Sequence, residues 1–164
     1  MSKVKKDKPL KISIACGQRV PKGFVGMDIA DIKGVDYVGN ILDFWSKDNV
    51  WSKIKDNSVD EIECSHFVEH IPHIAEGQGM IAGFHDLFYM FFDEVYRVLK
   101  PAKFDKDNPN IPISGFGIFT VPYYSSMRAD QDPTHQRRIG DTSLCYLDKT
   151  WREANGLDHY PIKA

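Results

Sequence analysis

Apolar and polar residues alternate over residues 11–15, and Cys16-Gly17 stops the run, a pattern that predicts a short buried strand. A turn at Pro21-Lys22-Gly23 leads to a second strand over 24–29. A third short apolar piece covers 36–39 and ends at Asn40. Trp45, Val50, Trp51 and Ile54 share one face of a weak helix over 45–55. The turn Asp56-Asn57-Ser58 then introduces a strand over 59–64. The strongest periodicity lies at 83–99. There Phe84, Phe88, Phe91, Val95 and Val98 recur every three or four residues, while His85, Asp86, Asp93, Glu94 and Arg97 lie elsewhere around the helix. This aromatic stripe reads as core. Lys100-Pro101 terminates the helix, with a cation in the last turn and a proline after it. A polar loop over 102–112, a strand over 115–121 stopped by Pro122, and a last helix over 142–154 with Gly156 near its C-cap complete the chain.

Strands separated by helical or linker segments indicate a parallel sheet covered by helices, an α/β fold. The long helix between the strands at 59–64 and 115–121 suits a crossover connection. Ligands of such sheets sit beyond the carboxyl ends of the strands. That rule selects residues 16–20, 28–29, 40–43, 64–70 and 121–124 as the candidate site.

Length and composition fit this picture. The 164 residues suit one domain over 10–164, after a solvated basic tail over 1–9. No apolar run approaches the length of a membrane span, and no apolar segment follows the tail as in a secretory signal. Three widely spaced cysteines, Cys16, Cys64 and Cys145, argue against a disulfide framework and fit a reducing, cytoplasmic setting. A net charge of −2 gives no strong nucleic-acid signature.

The chemistry gathers at the first two strand ends. Gly17 lets a ligand approach the backbone, and Asp28 at the next strand tip can accept both hydroxyl protons of a ribose diol. Only eleven positions separate them, against about twenty in a dinucleotide fold with a full intervening helix. No G-x-G-x-x-G is present, so a pyrophosphate has no helix N-terminus to rest on. A nucleoside without phosphates fits better than NAD or FAD.

Ordered motifs extend this reading. They are Ile14-Ala15-Cys16-Gly17, the stretch from Pro21 to Asp28, Asp56-Asn57-Ser58-Val59-Asp60-Glu61-Ile62, Ser65-His66-Phe67-Val68-Glu69-His70-Ile71, the stretch from Phe92 to Pro101, and Asp132-Pro133-Thr134-His135. In this order the chain resembles, over roughly residues 10–150, the seven-stranded class I S-adenosylmethionine-dependent methyltransferases, in the branch whose first helix is reduced to a loop. The resemblance implies a three-layer α-β-α Rossmann-like sheet, mostly parallel, with S-adenosylmethionine as cofactor and transfer of its methyl group to an unidentified acceptor. By the same resemblance Cys16 and Gly17 border the methionine part of the cofactor, Asp28 holds the ribose and Ile29 meets the adenine. Asn40, Ile41 and Leu42 flank the adenine edge, and Ser65 and His66 line the cleft, with Glu69 and His70 next to it.

The chain departs from the family at three places. Ala102 stands where a Gly-Gly turn is usual, 74–82 is an inserted Gly-rich stretch, and the sequence given ends about where the last two antiparallel strands begin. The expectation is a sheet lacking part of those strands, or one completed by a homo-oligomer or partner chain, and the alternative function is a non-catalytic S-adenosylmethionine-binding or scaffold subunit. His66, His70 and His135 are the candidate bases, because imidazole titrates near neutrality. Tyr123, Tyr124 and His135 are the candidate acceptor contacts. Cys16 reads as a small buried residue, not a nucleophile. No metal site is expected. His66, His70 and His73 are spaced for one helix face, but Pro72 interrupts such a helix and H-E-x-x-H is absent.

Overall fold

The computed structural model describes residues 8–73, 86–157 and 162. Five strands form a wholly parallel sheet: β1 (Lys11–Ile14), β2 (Val25–Asp28), β3 (Val35–Val38), β4 (Glu61–Ser65) and β7 (Phe116–Thr120), in the order β3-β2-β1-β4-β7. Helix α1 (Leu87–Val98) precedes a small antiparallel pair, β5 (Lys103–Phe104) and β6 (Pro112–Ser114). Two short helices follow β7: α2 (Met127–Gln131) and α3 (Lys149–Ala154). The chain is thus α/β with a parallel sheet. Among the described residues no strand lies beyond β7.

Alternation along the strands decides which face meets the helix. Ile12, Ile14, Met27, Ile62 and Cys64 are buried and join one core with Phe88, Phe91, Phe92 and Val95 of α1. Phe91 sits at its centre, edge-on to Trp51 with ring centroids 6.0 Å apart and 5.6 Å from Phe67. Phe119 of β7 closes on Phe92 at 5.1 Å. The intervening residues are polar. Lys11 and Ser13 of β1 stand in register with Glu61 and Glu63 of β4, and they pair: Lys11 Nζ with Glu61 at 2.5 Å, and Ser13 Oγ donating to Glu63 at 2.6 Å.

Several elements differ from the sequence expectation. The helix over 45–55 shrinks to one 3-10 turn, Val50–Lys53. Asp43 and Asn49 capture the amides of Trp45, Ser46 and Ser52, so the backbone has an alternative to the helix. The helix over 142–154 breaks at Asp148, whose backbone is extended and whose carboxylate caps α3 through the Trp151 amide. The loop over 102–112 contains β5 and leads into β6 at Pro112, the two joined by a turn in which Asp105 accepts the amides of Asp107 and Asn108. Helix α1 begins at Leu87, where the Asp86 carboxylate accepts the Phe88 amide. Expected helix residues 83–85, with Phe84 and His85, lie outside the described residues, as does 74–82.

No helix separates β1 from β2, in keeping with the short spacing between Gly17 and Asp28. The connection from β2 to β3 is shorter still, and it packs tightly. A Cβ on Gly26 would stand 2.5 Å from the Gly34 carbonyl, so this strand position requires glycine.

Candidate functional site

All five strands run parallel, so their carboxyl ends share one rim. Ile14 of β1 pairs with Cys64 of β4 as the last register pair between these strands. Just beyond it the chain turns through left-handed backbone at Ala15 (φ 51°) and at His66 (φ 55°). Such φ values are uncommon outside glycine and recur where a chain is turned sharply around a site.

On the β1 side, the Gly17 amide donates to Asp28 Oδ2 at 2.8 Å and the Ala30 amide donates to Oδ1 at 3.0 Å. Each carboxylate oxygen keeps a further lone pair for a ligand. Gly17 has φ 51°, and a Cβ there would meet nothing within 4 Å, so open space adjoins the turn. The Cys16 thiol is pushed up by burial and then by the Asp28 charge, so it stays protonated. Ile29 is 67% exposed beside this notch. Asn40 is exposed and its side chain accepts the Leu42 amide. Ile41 turns into the core, and its carbonyl accepts the Trp51 indole proton at 2.8 Å, leaving only backbone to offer a ligand. Leu42 is half-buried against the core. Ser65, the last residue of β4, is half-buried at the rim.

On the β4 side, a 3-10 turn, Val68–His70, places Glu69 beneath the rim at 1% exposure. The turn is tied to a distant segment, because the Glu69 carbonyl accepts the amides of Gln136 and Arg137 at 2.8 and 3.0 Å. That tie brings His135 to the turn. Glu69 Oε1 lies 3.2 Å from His66 Nδ1 and 4.0 Å from His135 Nε2, while Oε2 is buried without a hydrogen-bond partner. The His70 and His135 rings meet edge to face, with centroids 4.7 Å apart. Asp132 completes the rim. Its carboxyl is held below the usual range by the Thr134 hydroxyl and then by the Thr134 amide.

Comparison of the chain with protein-family models, curated proteins and solved structures returns no match.

The three candidate histidines therefore converge, and they share a cleft of about 540 Å³ with Pro122, Arg128 and Asp132. Tyr123 and Tyr124 are not among its lining residues. They are exposed, with rings tilted against each other at 4.8 Å, and the Tyr123 hydroxyl reaches Asp141 at 3.3 Å. His73 turns to the Gln136 carbonyl, away from a common helix face with His66 and His70. Sequence spacing missed Glu69 as the hub of the cluster. The available signal was a carboxylate inside the otherwise apolar run Phe67-Val68-Glu69-His70-Ile71. Arg128 and Gln131, which also line the cleft, belong to α2, a helix with no pattern of its own. One nitrogen or oxygen from each of Glu69, His70 and His135 lies within 4.8 Å of the others, an arrangement that can hold a cation.

Proposed function

We propose that the protein transfers a methyl group from S-adenosylmethionine to an acceptor held in the histidine-lined cleft. The observation that carries this reading is the hydrogen bond from the Gly17 amide to Asp28, which joins the tips of β1 and β2 on the rim that also bears the cleft. A nucleoside fits there because the Asp28 oxygens retain lone pairs for a diol and the space beside Gly17 is open. The strand order β3-β2-β1-β4-β7 agrees with the doubly wound 3-2-1-4-5 order, which supports a Rossmann-like assignment.

S-adenosylmethionine supplies an already activated methyl group, so the chain contributes position and, for a protic acceptor, a base. Asp28 holds the ribose, Cys16 and Gly17 border the methionine part, and Ser65 and His66 stand on the neighbouring strand tip, next to the cleft. His66, His70 and His135 line the acceptor side, where an imidazole can take a proton. Titration calorimetry and thermal shift with S-adenosylmethionine and its demethylated product test the proposal. Binding by either ligand supports it; no heat and no shift at millimolar ligand would sink it.

One observation favours a second reading, a binding subunit completed by another chain. Among the described residues β7 is an edge strand of the sheet, and Ile118 on it is 50% exposed. Sedimentation decides between them, since a clean monomer with methyl-transfer activity excludes the second.

A further inference from the structure

We propose that Glu69, His70 and His135 bind a divalent transition-metal ion at the floor of the cleft. The assignment stands on geometry alone and is independent of the methyl-transfer reading.

The first observation is the donor set. Two imidazoles and one carboxylate, each offering one ligand atom within 4.8 Å of the others, converge from two distant segments of the chain. The approach is imposed by main-chain hydrogen bonds from Gln136 and Arg137 to the Glu69 carbonyl, not by the ligands themselves. A zinc ion 2.0–2.2 Å from each donor needs donors about 3.3–3.6 Å apart, so this triangle closes by up to roughly 1.5 Å when the ion binds, through side-chain rotation.

The second observation is independent of the first. Glu69 is 1% exposed, and its Oε2 has no hydrogen-bond partner. Its ionisable neighbours within 4.0 Å, among the described residues, are the imidazoles of His66 and His135, both facing Oε1. A buried carboxylate with one bare oxygen is costly unless a cation sits against it.

The outer hydrogen bonds prepare the rings. His135 Nδ1 lies 3.0 Å from the Ala129 carbonyl, so it carries the proton and leaves Nε2 as a lone pair on the Glu69 side. His70 Nδ1 lies 3.0 Å from Thr134 Oγ1. The Thr134 hydroxyl spends its own proton on Asp132, so its oxygen accepts from His70 and again leaves Nε2 bare. Fixing one ring nitrogen so that the other can ligate is the usual outer-shell arrangement of metal-binding histidines. Two imidazoles and a carboxylate suit Zn²⁺, Mn²⁺ or Fe²⁺ more than the all-oxygen sets preferred by Ca²⁺ or Mg²⁺. Three protein ligands leave a position open to the cleft, for water or an acceptor oxygen.

The test uses the full chain stripped with a chelator, titrated with Zn²⁺ and Mn²⁺ by calorimetry and with Co²⁺ by visible absorption. The expected result is one ion per chain, ligand-field bands for Co²⁺ and a higher melting temperature with metal. His70→Gln and His135→Gln should each weaken binding roughly 100-fold, while His73→Gln leaves it unchanged. Glu69 is buried and its variants risk misfolding, so the two histidine variants, checked by circular dichroism, carry the decision. No binding to the stripped wild type, or equal affinity in folded His70→Gln and His135→Gln, would overturn the assignment.

Discussion

Asp28 Oδ2 accepts the Gly17 amide proton at 2.8 Å, so one charge-assisted hydrogen bond ties the tip of β2 to the turn after β1. The same carboxylate is the group proposed to hold a ribose. Asp28→Asn keeps its size while removing the charge and one acceptor. It should lower stability by about 1 kcal/mol and weaken S-adenosylmethionine binding roughly tenfold or more. Calorimetry and a denaturant melt on the same variant separate the two effects. Unchanged affinity in Asp28→Asn would remove this carboxylate from the cofactor site.

Gly17 and Gly26 should respond differently to alanine. At Gly17 the new methyl meets open space, so only the left-handed backbone is strained, by about 1–2 kcal/mol. Gly26 has no such strain, but its methyl would press on the Gly34 carbonyl at 2.5 Å and on Val20 at 2.9 Å. Backbone must move, at about 2–3 kcal/mol. Urea melts should therefore rank Gly26→Ala below Gly17→Ala, which should lose ligand affinity more than stability. The reverse ranking would mean that the connection between β2 and β3 yields easily.

Where burial alternates or repeats, the sequence was readable. Ile12 and Ile14 against Lys11 and Ser13, and the Phe88, Phe91, Val95 series, predicted β1 and α1 because each pattern has a single period, although Ser13 on the other face of β1 is buried as well. Trp45 and Val50 suggested a longer helix than exists, because side-chain capture of amides by Asp43 and Asn49 is local chemistry that periodicity does not register. The cleft was half legible. His66 and His70 follow a strand end and could be nominated from it. His135 was nominated by motif alone, and its contact with Glu69 depends on main-chain bonds across more than sixty positions. No window along the chain contains that information.

Arg137 is the pin that closes this long-range contact. Its guanidinium donates to the carbonyls of Ile71 and Pro72 at 2.8 Å each and to Asp86 at 2.5 Å, and it lies over the Phe88 ring at 5.1 Å. It therefore joins the segment bearing His135 both to the turn after Glu69 and to the N-cap of α1. Arg137→Ala leaves the largely buried Asp86 carboxylate without its cation and two carbonyls without this donor, and should cost about 3 kcal/mol. Arg137→Lys should recover only part of this, since one ammonium cannot match a planar fork with three acceptors. Thermal melts measure the loss. Full recovery by Lys would show that charge alone matters at this position.

Asp60 should govern the acid limit of stability. It leads into β4, where its carboxylate accepts from the Lys100 ammonium at 2.6 Å, from Ser114 Oγ at 2.9 Å and from the Leu10 amide at 2.9 Å. Burial by itself raises its pKa, but the Lys100 and Ser114 hydrogen bonds outweigh that effect and hold the carboxyl below the usual range. Folding therefore favours the ionised form. The stabilisation is complete above about pH 4, where an unfolded Asp is ionised, and disappears as pH falls through the lower folded value. Asp60→Asn should be less stable than wild type by about 2 kcal/mol at neutral pH, and the gap should close as the solution becomes acidic. Urea unfolding at a series of pH values reads this directly. A gap that stays constant from neutral pH to strong acid would show that the Asp60 charge contributes nothing and that only its shape is used.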